Sequence, residues 1–320
     1  MSIRKLTTLF AAAVVGLSAL AGCSSSTTPD TEITLPPEAV AGFTVPGDND
    51  KGGKNNPVIV GVVGASNEQF QVLSQAAAEE GIHIVFQDFT DYAQPNPALV
   101  GKELDLNQFQ HIVYLAQYNH AEKQNLVPIG STAIYPLGLY SKKYTSVNDI
   151  PQGATIALPD DQTNQARGLQ VLQSVGLIKL NPGTPTLFGE VSDVDQAASK
   201  VKVLAIAADQ TARSLDDPSI AGAIINNDYI ADTGLKPQEA IAQDDAASDA
   251  AAPFINIWVS RPEDKDLPVY AEIVRLAHTD DWNQALLANS AGTGVLVNET
   301  PARLQEILAD AITQLQQNSR

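Results

Sequence analysis

Residues 58–86, VIVGVVGASNEQFQVLSQAAAEEGIHIVF, decide the fold class of this chain. The stretch begins with Val58–Val63, an apolar run typical of a strand that is buried on both faces. Residues 67–80 then carry apolar side chains at helical spacing and stop at Gly81, and residues 82–86 alternate as a second strand. A strand, a helix and a strand in about thirty residues form a βαβ unit, which predicts a parallel sheet covered by helices.

The same alternation recurs along the rest of the chain. The predicted strands are 154–158, 201–206, 222–226 and 254–259, and the predicted helices are 163–175, 268–278, 281–290 and 300–317. The roughly 265 residues from Pro57 onwards are enough for two α/β lobes with separate cores.

The lobes are expected to be joined by a hinge that the chain crosses twice. We place the crossings near Leu139–Ser141 and near Pro253–Asn256. Lobe 1 then comprises residues 57–140 and 254–320, and lobe 2 comprises residues 141–253.

The N-terminus has the features of a bacterial lipoprotein export signal. A short apolar run follows Arg4 and Lys5, and residues 20–23 read Leu-Ala-Gly-Cys, the lipobox at which a thiol receives a diacylglycerol. The alternative is an ordinary signal peptide with an unrelated cysteine. However, an exported chain that uses cysteine structurally is expected to carry several, and Cys23 has no companion. We therefore expect residues 1–22 to be a signal peptide and Cys23 to carry lipid, including palmitate.

Composition indicates how the protein is held at the membrane. Residues 23–56 are rich in Ser, Thr, Pro, Gly and Asp and lack an apolar period, so we expect a flexible tether. The chain has 37 acidic and 19 basic residues, which argues against a nucleic-acid partner and against a polybasic membrane contact. The lipid alone is expected to anchor the protein, on the extracytoplasmic face of the cell membrane.

No familiar catalytic or metal-binding pattern occurs in the sequence. The four histidines are scattered, and neither a zinc motif nor a nucleophile elbow nor a phosphate-binding loop is present. Asp244, Asp245 and Asp249 are expected to form a solvated acidic loop, because their spacing lacks the glycine and glutamate of a calcium loop. An exported chain of this kind is expected to bind a ligand, without enzymatic activity, cofactor or metal.

Four ring-bearing side chains, Tyr92, Phe109, His111 and Tyr114, are candidates for a ligand site. Tyr92 follows a predicted strand, at the edge of the sheet where α/β folds bind ligands. His111 and Tyr114 share a helix face if His111 opens a helix. From spacing alone an ordinary aromatic core is the commoner explanation, and one wall of a ligand pocket is the alternative.

Two polar segments follow strands of the second lobe. Arg167 lies near the start of a predicted helix, where free backbone N–H groups and the helix dipole favour an anion. A guanidinium group there suits a carboxylate that is bound through two hydrogen bonds. Asn226, Asn227 and Asp228 offer acceptors for an ammonium group, and a turn or N-cap role for Asn227 and Asp228 is equally compatible with the sequence.

At these residues the chain resembles the NlpA lipoprotein family, the methionine-binding lipoproteins of ABC importers. The matching blocks are residues 89–96 (FTDYAQPN), 107–115 (NQFQHIVYL), 136–144 (PLGLYSKKY), 159–167 (PDDQTNQAR), 224–229 (IINNDY) and 253–256 (PFIN). The resemblance implies a two-lobed α/β fold of the type II periplasmic-binding-protein kind that closes on a small amino acid. One departure is the ending, where the chain adds a helix that reaches Arg320.

The resemblance also implies what the candidate residues do. The four ring-bearing side chains enclose the apolar or thioether side chain of the ligand, Arg167 binds its α-carboxylate, and Asn164 and Asn226 complete the polar end. We therefore expect a solute-binding lipoprotein that delivers methionine, or a related small amino acid, to an ABC permease and its ATPase. The alternatives are a similar protein that binds a short peptide or another apolar amino acid, and a lipoprotein whose degenerate cleft is an interaction surface.

Overall fold

The structure, a computed structural model, describes residues 40–318. Its strands are β1 (Val58–Val63), β2 (Ile84–Phe89), β3 (Leu106–His111), β4 (Val127–Ser131), β5 (Ala133–Ile134), β6 (Gly138–Tyr140), β7 (Thr155–Pro159), β8 (Lys202–Ile206), β9 (Ile220–Ile225), β10 (Ala242–Gln243), β11 (Asn256–Ser260) and β12 (Val295–Leu296). Its α-helices are α1 (Glu68–Glu79), α2 (Pro95–Val100), α3 (Ile112–Glu122), α4 (Gln162–Ser174), α5 (Ala208–Ser214), α6 (Asn227–Ile230), α7 (Pro268–Leu276), α8 (Asp280–Asn289) and α9 (Pro301–Asn318).

Lobe 1 is built on a five-stranded sheet in the order β2-β1-β3-β11-β4. Strand β1 lies parallel to β2 and β3, whereas β11 returns from lobe 2 and runs antiparallel between β3 and β4. Helix α1 packs on this sheet through Phe70 and Leu73, which lie in one buried cluster with Val58, Val60 and Val62 of β1. The opening stretch of sequence therefore forms the expected βαβ unit.

Lobe 2 has its own five-stranded sheet, in the order β10-β6-β9-β7-β8. Strand β7 lies parallel to β8 and β9, and β6 runs antiparallel to β9. A separate apolar cluster, which includes Ile156, Leu169 and Ile224, forms the core of this lobe.

The chain passes between the two sheets twice. The first crossing is residues 135–137, between β5 and β6, and the second is residues 244–255, between β10 and β11. The expected position of the first crossing, Leu139–Ser141, is therefore a few residues too late. Leu139 and Tyr140 already belong to β6, where they pair with Ile224 and Ala223 of β9.

The expected tether is too long at its C-terminal end. The backbone N–H of Val40 donates to Glu272 of α7 at 3.0 Å, and the Lys51 ammonium lies 3.0 Å from the Asp105 carboxylate. Gly52 accepts a 2.7 Å hydrogen bond from the backbone of His83. Residues 40–56 therefore pack as turns against lobe 1, held by these polar contacts and by Phe43, which packs against the lobe 1 core. The lipobox, Cys23 and the rest of the expected tether lie outside the described residues.

The end of the chain completes lobe 1. Strand β12 pairs with β5, immediately before the first crossing, and α9 packs against α3 and β4. The buried face of α9 consists of Leu304, Ile307, Leu308, Ala311 and Leu315. Within residues 40–318, no helix combines the length and apolar character needed to cross a bilayer.

Candidate functional site

An aromatic wall of Tyr92, Phe109 and Tyr114 lies on the lobe 1 side of the cleft. The ring centroids of Tyr92 and Phe109 are 5.9 Å apart, as are those of Phe109 and Tyr114. Tyr229 of lobe 2 faces this wall, with its ring 5.2 Å from that of Tyr92. All four rings belong to one apolar cluster that both lobes contribute to. Such contact distances are those of favourable aromatic pairs, so the wall is a packed surface.

His111 ends β3 and caps α3, as the sequence pattern required for its pairing with Tyr114. Its Nδ1 accepts a hydrogen bond from the backbone N–H of Tyr114 at 3.1 Å, so Nε2 carries the proton and donates to Asn164 Oδ1 at 3.1 Å. Burial, and secondarily the nearby charge of Arg167, lower the pKa of His111 from 6.5 to about 3. The imidazole is therefore neutral at physiological pH.

Asn164 links the polar groups of the cleft. Asp161 caps α4 by accepting from the backbone N–H of Asn164 at 2.9 Å, and both Asp161 carboxylate oxygens lie 3.1 Å from Asn164 Nδ2. Asn164 Oδ1 accepts from His111 and, at 3.1 Å, from Asn226 Nδ2. Asn164 thus fixes the positions of His111 and Asn226. The Oδ1 atom of Asn226 is buried and accepts no hydrogen bond from any residue that the structure describes.

Arg167 is buried in α4 and already has an ionic partner. Its Nε lies 2.5 Å from Asp244 Oδ2, and its Nη2 donates to the carbonyl of Tyr135 at 2.8 Å. The guanidinium also stacks on the ring of Phe254, 4.2 Å from the centroid. No hydrogen bond between described residues uses Nη1. The expectation that Asp244 is simply solvated is therefore wrong, since this side chain, 24% exposed, pairs with Arg167.

Hydrogen bonds join the lobes across the cleft. The Tyr92 hydroxyl donates to Asp228 Oδ2 at 2.7 Å, the Tyr229 hydroxyl donates to the carbonyl of Thr90 at 3.1 Å, and His111 bonds Asn164. Burial raises the pKa of Asp228 to about 6, and the hydrogen bond from Tyr92 partly opposes this effect. These contacts hold the lobes in a closed arrangement.

A cavity of about 40 Å³ lies between the lobes. It is lined by all seven residues that the sequence singled out for ligand binding, namely Tyr92, Phe109, His111, Tyr114, Asn164, Arg167 and Asn226. A cavity of this size holds about three water molecules, so an amino acid reaches these side chains only when the lobes separate or side chains move.

The structure adds lining residues that the sequence did not single out. They are Gln110, Tyr135, Pro136, Leu137 and Asn256, while Asn227 and Asp228, the candidate acceptors for an ammonium group, also line the cavity. Tyr135, Pro136 and Leu137 form the first crossing. The sequence predicts that crossing at Leu139–Ser141, so it does not indicate these three residues as part of the cavity. Among the described residues no cluster of His, Cys, Asp and Glu could hold a metal ion.

A second, larger groove lies on the outside of lobe 1. It measures about 1290 Å³ and runs between α1, α7 and α8. Its lining includes Glu68, Glu79, Glu80 and Asp281, and none of the seven candidate residues reaches it. The cavity between the lobes is the better candidate site, because the aromatic and polar candidates converge there.

The sequence profile of the family described as NlpA lipoprotein matches residues 58–297. The chain belongs to the NlpA lipoprotein family. The D-methionine-binding lipoprotein MetQ of Yersinia pestis is 38% identical to it over 242 residues, which cover 75% of this chain and 87% of that protein. The protein of the same name from Escherichia coli K12 is 36% identical over 233 residues, covering 72% and 84% of the two chains.

Solved structures of similar proteins have the same architecture. Protein PG110 from Staphylococcus aureus is 32% identical, with a TM-score of 0.74 over 79% of this chain and 99% of that one. A nutrient-binding protein from Burkholderia cenocepacia, solved bound to methionine, is 34% identical, with a TM-score of 0.69 over 75% and 99%. These similarities confirm the expected family and the expected two-lobed α/β fold of a substrate-binding protein. Helix α9 lies beyond the residues that the family profile matches.

Proposed function

We propose that this NlpA-family protein is the solute receptor of an ABC importer and that it captures methionine or a related small amino acid. The observation that carries the proposal is the convergence, in one cleft between two lobes, of an aromatic wall and a buried guanidinium group. Aromatic rings suit a polarizable thioether, and a guanidinium suits a carboxylate. The names of the MetQ relatives and the methionine-bound B. cenocepacia structure support the same ligand class.

Each candidate residue has a role in this proposal. Tyr92, Phe109, His111 and Tyr114 contact the apolar side chain of the ligand. Arg167 binds the carboxylate through Nη1, while its Nε stays on Asp244. Asn226 binds the polar end directly, and Asn164 acts mainly by holding Asn226 and His111, since its own side chain is occupied by protein groups.

The remaining parts of the proposal concern location and partners. The protein is held on the extracytoplasmic face of the membrane by lipid on Cys23, and it passes its ligand to a permease and an ATPase encoded elsewhere. The lipoprotein names of its family and relatives support the anchor. The protein carries out no reaction of its own, because the family role is binding and delivery.

Native mass spectrometry tests the ligand class without a prior choice of ligand. Protein that has been unfolded, stripped and refolded is incubated with an equimolar mixture of the twenty amino acids and several dipeptides. The expected spectrum has one main adduct with the mass of methionine. A main adduct of another apolar amino acid or of a dipeptide would keep the receptor role and replace the ligand. The absence of any adduct would refute the receptor role and favour a degenerate cleft.

A further inference from the structure

The charged groups at the cavity are unevenly paired. Arg167 and Asp228 line it, together with His111, which is neutral. Arg167 already forms an ion pair with Asp244. Asp228 forms no ion pair with any residue between 40 and 318. The cleft therefore contains a carboxylate charge that has no counter-ion in the described part of the chain.

Asp228 also has spare hydrogen-bonding capacity. The hydroxyl of Tyr92 uses one of the roughly four acceptor positions of its carboxylate. Burial raises its pKa because the loss of water is not offset by a nearby cation. A side chain in this state is stabilised by any ligand that brings a positive charge and hydrogen-bond donors.

A second acceptor, at the start of α6, has no donor among the described residues. Asn226 immediately precedes α6, and its buried Oδ1 has no hydrogen-bond partner within residues 40–318. An ammonium group offers three donors, one positive charge and no acceptor, which complements Asp228 and Asn226 together. Resting on the proposed function, we infer that Asp228, with Asn226 Oδ1, binds the ammonium group of the ligand and makes the cleft selective for amines.

The ion pair between Arg167 and Asp244 predicts which end of the ligand contributes more to binding affinity. When a ligand lacks a carboxylate, Arg167 keeps its ion pair with Asp244. No buried charge is then left without a partner. A ligand without an ammonium group leaves Asp228 unpaired and brings a second anion near it. Loss of the ammonium is therefore expected to reduce affinity more than loss of the carboxylate.

The phenol groups around Asp228 do not titrate in the physiological range. Tyr92 and Tyr135 face it from lobe 1 and from the first crossing, and Tyr229 is its neighbour on α6. Burial raises the pKa of all three phenols above 10. Between pH 5 and 8, Asp228 is therefore the group in this set that changes charge, and its protonation removes the counter-ion of the ammonium.

The test compares three ligands on two variants by isothermal titration calorimetry of stripped protein. The ligands are L-methionine, L-methioninamide, which lacks the carboxylate charge, and 4-(methylthio)butanoate, which lacks the ammonium. The variants are Asp228→Asn and the matched control Asp232→Asn, an exposed residue just beyond α6. Asp228→Asn is expected to weaken the binding of L-methionine at least about tenfold at pH 7.5. It is also expected to reduce the difference in affinity between L-methionine and the butanoate.

The pH profile distinguishes a charge effect from a change of shape. Affinity of the unaltered protein and of Asp232→Asn should fall about tenfold from pH 7.5 to pH 5, and that of Asp228→Asn should stay level. Equal affinity of Asp228→Asn and the control, or equal affinity for L-methionine and the butanoate, would overturn the inference while leaving the receptor role intact. Failure of all three ligands to bind unaltered protein would refute the proposed function itself.

Discussion

Replacement of Arg167 by alanine separates a ligand-binding role from a structural one. The guanidinium holds Asp244, the carbonyl of Tyr135 and the ring of Phe254, so Arg167→Ala has a cost even without ligand. Because Asp244 is 24% exposed, the loss of its partner should lower the free energy of unfolding by about 1–3 kcal/mol, below the range for a fully buried pair. Loss of the ring contact adds about 0.5–2 kcal/mol.

The effect on binding should be larger. A ligand carboxylate that loses its charged partner in the cleft costs about 2–5 kcal/mol, which corresponds to a loss of affinity of roughly thirtyfold to several thousandfold. Isothermal titration calorimetry with L-methionine measures this change. Chemical denaturation of the same samples shows that the variant is folded under the conditions of the titration.

Asp244→Asn is the matched control, since it breaks the same ion pair from the other side. Its Oδ1 can still accept from the backbone N–H of Leu137, a 2.8 Å hydrogen bond in the present structure. Arg167 then keeps its charge without a competing anion, so affinity for L-methionine should be unchanged or higher. A loss of affinity in Arg167→Ala together with unchanged or higher affinity in Asp244→Asn would support direct binding of the ligand by Arg167. A similar loss of affinity in both would refute it and would assign the pair a purely structural role.

Three further predictions concern the aromatic wall, the C-terminal helix and the anchor. Phe109→Leu should reduce the preference for L-methionine over L-norleucine by about 0.3–1.5 kcal/mol in calorimetry, because a ring beside sulfur is lost while apolar volume is kept. Leu304→Ala should lower the free energy of unfolding by about 2–5 kcal/mol in urea, whereas the exposed control Gln317→Ala should change it little. Cys23→Ala should release the protein from membranes, because each acyl CH₂ contributes about 0.8 kcal/mol to membrane binding.

Each of these predictions has a clear contrary result. An unchanged methionine-to-norleucine ratio would remove Phe109 from the thioether contact. Equal stability of Leu304→Ala and Gln317→Ala would mean that α9 does not contribute to the core of lobe 1. Sedimentation of processed Cys23→Ala with membranes would exclude the lipid as the anchor.

Local patterns in the sequence were sufficient for much of the fold. The apolar run of β1 and the helical spacing of α1 are short-range signals, and the predicted α4, α7, α8 and α9 lie within a few residues of the observed helices. Strand β3 was not predicted, because its buried residues include Asn107 and Gln110. Their amides are satisfied by Asn96 of α2, a partner that no periodicity reveals.

The candidate site likewise combines features that local sequence patterns predict with contacts between distant residues that they do not. The seven candidate residues lie in sequence blocks, and the structure brings them to one cavity. The pairing of Arg167 with Asp244 spans 77 positions and depends on how the second crossing folds back, so no local signal could predict it. The roles of the individual residues towards a ligand stay predictions.

The most direct test of the central claim is the thermal unfolding of stripped protein with and without ligand. Binding stabilises the folded state by RT ln(1 + [L]/Kd), about 2.7 kcal/mol at a hundredfold excess over Kd. For a chain of this size the midpoint should rise by roughly 5–10 °C with methionine, tested as both enantiomers. Glycine, which leaves the aromatic wall empty, and aspartate, which adds a second carboxylate beside it, should give smaller shifts. Identical midpoints with methionine, other amino acids, short peptides and buffer alone would contradict the account.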